Sequence, residues 1–172
     1  IGLCATAGAR LLGATTIIAV DGNDHRLGIA QKMGADVTLN FKNCDVIDEI
    51  MKITGGRGAD SAIEALGTQA TFESALRCIK PGGTLSSLGV YSEDLKIPLS
   101  AFAAGLGDHK INTALCPGGK ERMRRLMNVL ASNRLDLGLL VTHQYKLDDI
   151  VAAYDLFAHQ RDGVLKVAIT PQ

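Results

Sequence analysis

Asp21 is the first residue of the chain to which chemistry can be assigned. It closes a β-branched run, Thr15 to Val20, and the turn-former Gly22 follows it. Upstream, Gly2 is succeeded by small and apolar residues at helical spacing, Leu3, Ala5, Ala7, Gly8, Leu11 and Leu12, with Gly13 as the stop. The order is a helix packed closely on a sheet, a turn, and a buried strand that ends in a carboxylate. A carboxylate in that place accepts hydrogen bonds from the adenosine ribose hydroxyls of a dinucleotide. An Asp that only opens a turn after a strand has the same local pattern, so both readings stand at this point. The glycine fingerprint G-x-G-x-x-G is absent, and Gly2 can supply only its last position.

Other residue types with chemical reach are dispersed. Cys4, Cys44, Cys78 and Cys116 form no C-x-x-C pair, and His25, His109, His143 and His159 are equally scattered. That spacing fits neither a zinc site nor a disulfide framework, and it predicts reduced thiols, most of them small core hydrophobes, in a cytoplasmic protein. No metal site is expected from these residues. The cluster Thr54-Gly55-Gly56-Arg57-Gly58 suggests a phosphate loop, but it follows a helix and precedes a strand. A phosphate cradle needs strand before helix, so that amides and the helix dipole face the anion, and this cluster reads as a connecting turn. Lys120, Arg122, Arg124 and Arg125 read as the solvated face of a helix around the apolar stripe Met123, Leu126, Met127 and Leu130.

Composition narrows the partners. The chain has 172 residues, 47% hydrophobic and 21% charged, as expected of one globular domain with a sizeable core. Its 18 basic and 18 acidic residues cancel, and aromatic residues make up only 4% with no Trp. Neither a nucleic-acid surface nor a base-stacking platform is expected. There is no apolar run long enough for a membrane span and no charged region leading into an apolar signal core.

The elements that must position Asp21 follow from periodicity and punctuation. A helix is predicted from Asp24, as its N-cap, to Met33, ended by Gly34; a strand over Val37 to Phe41; and a helical stripe over Cys44 to Ile53. A strand over Asp60 to Ala65 leads through Leu66-Gly67 to Thr68, the N-cap of a helix over Gln69 to Ile79. Lys80-Pro81-Gly82-Gly83 is read as a turn into a strand over Thr84 to Leu88. Asp94 to Leu106 is less decided, with Ser100 capping a short helix. Lys110 to Leu115 is one more strand, Lys120 to Ser132 a helix, and the tail a strand (Val141 to Tyr145), a helix (Leu147 to His159) and a strand (Val164 to Ile169). Alternation of this kind specifies a mainly parallel sheet covered on both faces, with ligands beyond the carboxyl ends of its strands. Asp21 to Asn23, Ala65 to Gly67, Gly89 to Tyr91 and Leu115 to Pro117 lie there. The glycines of the set are read as allowing a flat ligand to approach the backbone.

Taken in order, IGLCATAGARLLGA, IIAVDGNDHRLGIAQKMGAD, MKITGGRGADSAIEALG, IKPGGTLSSLGV, the Leu-Cys-Pro-Gly-Gly of 115–119 and LVTHQYKLDDIVAAYDLF resemble the carboxyl-terminal half of zinc-dependent medium-chain alcohol dehydrogenases, above all the tetrameric microbial secondary-alcohol dehydrogenases. The resemblance covers essentially the whole chain. It implies an α/β fold, a Rossmann-like doubly wound parallel sheet truncated at its first strand, over residues 1–117. Residues 118–172 would form a carboxyl-terminal segment returning toward a catalytic domain. It further implies NAD as cofactor, a small secondary alcohol or ketone as substrate, zinc in the parent enzyme with no ligand in this chain, and a homo-oligomer, dimer or tetramer. Adenosine contacts are implied at Asp21 and Asn23, with Arg26 flanking, and further contacts at Ala65, Leu66 and Gly67. The nicotinamide end would lie near Gly89, Val90, Leu115 and Cys116, with Gly2 and Leu3 at the pyrophosphate.

Two departures qualify the resemblance. NADP-using members have a small residue at the Asp21 position and an Arg nearby, whereas a carboxylate here repels a 2′-phosphate and Asn23 stands where that Arg would help. The family's zinc ligands and first strand have no counterpart in the sequence, so Thr16 to Val20 and Asp60 to Ala65 would flank a gap about 10 Å wide. Unpaired apolar edges there favour self-association, and the chain alone is expected to bind NAD weakly and to lack activity. The competing reading is a non-enzymatic nucleotide-binding or oligomerisation module. A methyltransferase-like domain also uses an acidic residue after its second strand, but the ordered match through the tail argues against it.

Overall fold

The structure is a computed structural model in which residues 1–102 and 107–171 are described. It separates into two compact units, Ile1–Gly119 and Lys120–Gln172. The first runs α1 (Gly2–Leu11), β1 (Ile18–Asp21), α2 (Asp24–Lys32), β2 (Val37–Asn40), α3 (Val46–Ile53), β3 (Ala59–Glu64), α4 (Gln69–Cys78), β4 (Ile79–Ser87), a 3-10 turn (Leu99–Phe102) and β5 (Lys110–Thr113). The helix expected from Ser100 onward is this single turn, and residues 103–106 of the expected span lie outside the described residues. Among the described residues no helix is long and apolar enough to cross a membrane.

Every ladder is parallel. β1 pairs with β2, placing Asp21 opposite Asn40. β3 pairs with β4 and β4 with β5, which brings Glu64, Ser87 and Thr113 into one row at the carboxyl ends. Among the described residues β1 pairs only with β2 and β3 only with β4, so each keeps an edge without a strand partner. Those strands expose Val20 and Ile63, at 43% and 46%.

Among the described residues, three apolar clusters hold this unit. Phe72 and Leu76 of α4 pack on Ile79, Leu85 and Ala101. Ile17, Ala30 and Ala35 pack with Leu3 and Ala9 of α1, where small side chains let helix and strand approach closely. Leu39, Ile50 and Cys78 form the third, with Ile18 and Val37 from one ladder and Ala59 from the other against them. That cluster ties the two ladders together without a hydrogen bond between them. Burial pushes the Cys78 thiol up to about 11, so it behaves as a core hydrophobe.

Two local expectations are corrected. The N-cap of α2 is Asn23, whose side chain accepts from His25 N and Arg26 N; Asp24, one residue on, instead accepts from Asn40. β4 begins at Ile79 rather than after the glycines, and Lys80–Gly83 bulges out between the pairings Ala59–Ile79 and Ser61–Thr84. Pro81 has no N–H to give the ladder and Gly82 takes φ +73°, so the segment cannot continue the pairing yet need not end the strand. Thr68 caps α4 as expected, in a reciprocal box with Thr71.

The second unit contains α5 (Lys120–Ala131), β6 (Val141–Lys146), α6 (Ile150–Ala158) and β7 (Lys166–Thr170), with β6 and β7 parallel across α6. Arg124 and Arg125 both bond to Glu121, as a solvated helix face does. Met123, Leu126 and Met127 of the apolar stripe are each more than half exposed.

Leu85, fully buried at the centre of the first cluster, gives the test of this core. Leu85→Ala is expected to lower unfolding free energy by about 3 kcal/mol, measured by urea denaturation. A loss under about 1 kcal/mol would mean that the cluster is not closely packed.

Candidate site at the strand carboxyl ends

The carboxyl end of β1 carries a charged triad of residues close in sequence. Asp21 Oδ1 accepts from Asn23 N at 2.9 Å and from Arg26 Nε and Nη2 at 3.1 and 2.9 Å. All three contacts fall on one carboxylate oxygen, and among the described residues none reaches Oδ2. Asp21 and Arg26 are each about one-third exposed, at 32% and 36%. The arrangement leaves a fixed, half-coordinated carboxylate with one oxygen open to a hydroxyl donor. Asn23 is engaged as helix cap, so it contributes its side chain to α2 and only its amide to Asp21.

Phe41, at the end of β2, was not among the sequence candidates. Its N–H donates to the Asp21 carbonyl at 3.3 Å, its ring is 56% exposed, and its tip lies against Gly22, where an added Cβ would come within 2.5 Å of Cζ. The signal available in the sequence was an aromatic residue immediately after a strand whose neighbour ends in the carboxylate.

At the end of β3 stands Glu64, only 3% exposed and also absent from the sequence candidates. Its Oε1 accepts from Leu66 N, Gly67 N and Thr71 Oγ1, each at 2.8 Å. Its Oε2 accepts from Tyr91 O–H at 2.6 Å and from Ser87 Oγ at 3.4 Å. Burial pushes this carboxyl up, but the bonds from Tyr91, Gly67, Leu66 and Thr71 outweigh it and hold Glu64 below its ordinary value. Tyr91 is raised, by burial first and by its bond to Glu64 second.

Around this carboxylate the crest glycines meet. Gly67 adopts φ +98°, and a Cβ there would strike the Val90 backbone; a Cβ on Gly89 would strike Gly67 and Glu64 Oε2. Backbone packing of the two loops by itself requires glycine at both positions. What they present outward is Leu66 and Val90, 68% and 81% exposed. Ala65 lies between, partly buried.

The remaining candidates stand apart. Gly2 and Leu3 open α1, which has no side-chain cap and no acidic residue in its first turn; a Cβ on Gly2 would meet nothing within 4 Å. Leu115 and Cys116 lie beyond β5, which ends at Thr113, and both are exposed. Among the described residues no three His, Cys, Asp or Glu side chains converge as a metal site. Among the described residues the crest thus presents one open carboxylate oxygen, at Asp21, and two exposed apolar side chains, Leu66 and Val90.

Comparison with known proteins bears on the family and the fold. The sequence model of the zinc-binding dehydrogenases matches residues 1–132. An alcohol dehydrogenase of Cupriavidus necator is 84% identical over 171 residues, 99% of this chain and 47% of that protein. An NADP-dependent isopropanol dehydrogenase of Clostridium beijerinckii is 36% identical over 172 residues, 98% of this chain and 49% of that protein. Among solved structures, an alcohol dehydrogenase of Thermus sp. ATN1 superposes with a TM-score of 0.88 at 29% identity, over 99% of this chain and 48% of that one. The chain thus spans about half the length of the curated relatives it matches.

The depressed Glu64 carboxyl makes a pH prediction. Its contribution to stability is fully present above the unfolded value of 4.5 and is lost as pH falls through the lower folded value. Wild-type stability should therefore fall on acidification below about pH 4.5 more steeply than that of Glu64→Gln, followed by urea midpoints from pH 6 to 3. Parallel curves would show that the carboxylate is not held ionised in the fold.

Proposed function

The chain belongs to the zinc-binding dehydrogenase family, and on that premise we propose that it is the NAD-binding half of an alcohol dehydrogenase interconverting secondary alcohols and ketones. The observation that carries the reading is Asp21, held by Arg26 and by the Asn23 amide through one oxygen with the other free. The nicotinamide supplies a hydride acceptor when bound, and the zinc of the parent enzyme supplies a polarising charge for the alcohol oxygen. Asp21 binds the adenosine ribose through Oδ2. The first amides of α1, at Leu3 and Cys4, face the pyrophosphate with the helix dipole behind them. Leu66 and Val90 supply apolar contact to the remainder of the cofactor, and Phe41 flanks the adenine. Leu115 and Cys116 belong to the nicotinamide end of the same surface. The enzyme is cytoplasmic and acts as a homo-oligomer.

NAD is preferred over NADP because a 2′-phosphate would meet the Asp21 carboxylate. The isopropanol dehydrogenase relative is NADP-dependent by name, so the preference rests on this residue and not on kinship. An Arg at position 23 is the sequence-level route to reversal, but Asn23 caps α2, and losing that cap costs about 1 kcal/mol. The cation is already present in Arg26. Asp21→Gly alone should free its guanidinium, and kcat/KM for NADP relative to NAD should rise by about tenfold or more in the intact enzyme. Adding Arg26→Ala should remove most of that gain. An unchanged cofactor ratio in Asp21→Gly defeats the assignment of Asp21, and a gain that survives Arg26→Ala defeats that of Arg26.

A further inference from the structure

We infer that Glu64 is a positioning residue of the cofactor surface: its buried carboxylate holds Leu66 and Val90 as a preset pair of apolar contacts for the half of the dinucleotide that lies over β3 and β4. The inference rests on the proposed function. It starts from the cost of the residue itself, since a carboxylate 3% exposed in a small α/β unit is expensive unless fully coordinated. The coordination spans two loops whose bases are joined where Leu88 N–H donates to the Glu64 carbonyl at 2.8 Å. Oε1 binds the amides of Leu66 and Gly67 in the loop after β3, and Oε2 binds Tyr91 in the segment after β4. Beyond that backbone bond, one side chain ties the outer parts of both loops together. Gly89 lies so close to Gly67 and to Oε2 that no Cβ fits, which leaves the loops one mutual position. The same loops carry Leu66 and Val90, 68% and 81% exposed, at the carboxyl ends of parallel strands, where ligands of such sheets bind. Large apolar side chains on a tightly tied loop, rather than a loose one, are what binding a flat ring requires, because their ordering is complete before the ligand arrives.

Geometry also separates this effect from the adenosine site. Asp21 belongs to the β1–β2 ladder and Glu64 to the β3–β4–β5 ladder, with no strand pairing between them among the described residues. A ligand anchored by its adenosine on Asp21 reaches the Glu64 loops only with its other half.

The test measures NAD and AMP affinity of the intact dehydrogenase by calorimetry, together with thermal midpoints. Glu64→Ala should weaken NAD by about tenfold or more while AMP stays within about twofold. Glu64→Gln should restore NAD to within about threefold of wild type, because its amide oxygen still accepts from Leu66 N and Gly67 N while its amino group donates to Tyr91 and Ser87. A merely structural Glu64 would lower the midpoint and weaken both ligands together. That outcome overturns the inference, as does NAD binding unchanged in Glu64→Ala. Should Glu64→Ala fail to fold, Tyr91→Phe removes one of the Oε2 bonds and is expected to weaken NAD by about threefold with AMP unchanged; NAD affinity equal to wild type there overturns the inference as well. Absence of NAD binding by the wild-type enzyme would overturn the proposed function instead.

Discussion

The first unit depends on one buried negative charge. Glu64 collects five donors, two from the loop that follows it, one from the N-terminal turn of α4, one from β4 and one from Tyr91. Removing a carboxylate from water costs several kcal/mol, and only near-complete hydrogen bonding makes such a group tolerable. The donors themselves are committed elsewhere: Thr71 belongs to the capping box of α4, and the ring of Tyr91 stands edge-on to Phe72 of the core at 6.1 Å. Strand end, helix start, following loop and apolar core are therefore mutually fixed through a single side chain. The site inherits its rigidity from that arrangement.

The rest of the unit solves a different problem, that of holding two parallel ladders together without a shared strand. Parallel strands need cover on their faces, and here the cover also joins them. Leu39 and Ile50 from β2 and α3 meet Cys78 at the end of α4, with Ile18 and Ala59 from opposite ladders packed against the same cluster. Above it, Arg10 of α1 reaches the Gly34 carbonyl and Asp36, and Asp36 in turn accepts from Ile17 N. Those polar ties stay on the β1–β2 side, so between the ladders it is apolar contact that does what backbone pairing does elsewhere in a sheet. Among the described residues β1 and β3 each keep one edge without a strand partner.

Most elements were legible from periodicity and from glycine and proline, as with the apolar stripe of α3 and the short, β-branched β1. The misses have local physical causes. Asn23 and Asp24 are both good caps, and pattern cannot say which oxygen reaches the first amides; Asn40, distant in sequence, decides it by engaging Asp24. Lys80-Pro81-Gly82-Gly83 has turn composition and does turn, but the pairing of Ala59 with Ile79 before it is a tertiary fact. Glu64 was hidden more thoroughly. Alternation along Ala59–Glu64 would put Ile63 inside and Glu64 in water, yet Ile63 is 46% exposed and Glu64 3%. The inversion follows from donors supplied by four separate segments, and no window of sequence contains them all. Of the candidate site, Asp21 was readable because strand end and carboxylate are adjacent, while the loop-on-loop packing that requires Gly67 and Gly89 joins segments more than twenty residues apart and has no local signal.

The electrostatics at Asp21 give the last step. Three donors on Oδ1 leave Oδ2 with its lone pairs but not with a full isolated charge, since the Arg26 guanidinium stands 2.9 Å from the shared oxygen. A ribose hydroxyl needs only an acceptor, and Oδ2 serves as well beside Arg26 as without it. A 2′-phosphate would feel both members of the pair, the carboxylate repelling and the guanidinium attracting, within a distance far shorter than the roughly 8 Å over which physiological salt screens. Lys42 adds a second cation on the same side, its Cε 3.1 Å from the position a Cβ on Gly22 would take. Discrimination between the two cofactors would then be the difference of opposed terms and not the repulsion of a bare charge. On the proposed reading, recognition of the ribose would rest on hydrogen-bond geometry at one oxygen and rejection of the phosphate on a charge balance around it, and the two could change independently because different atoms would carry them.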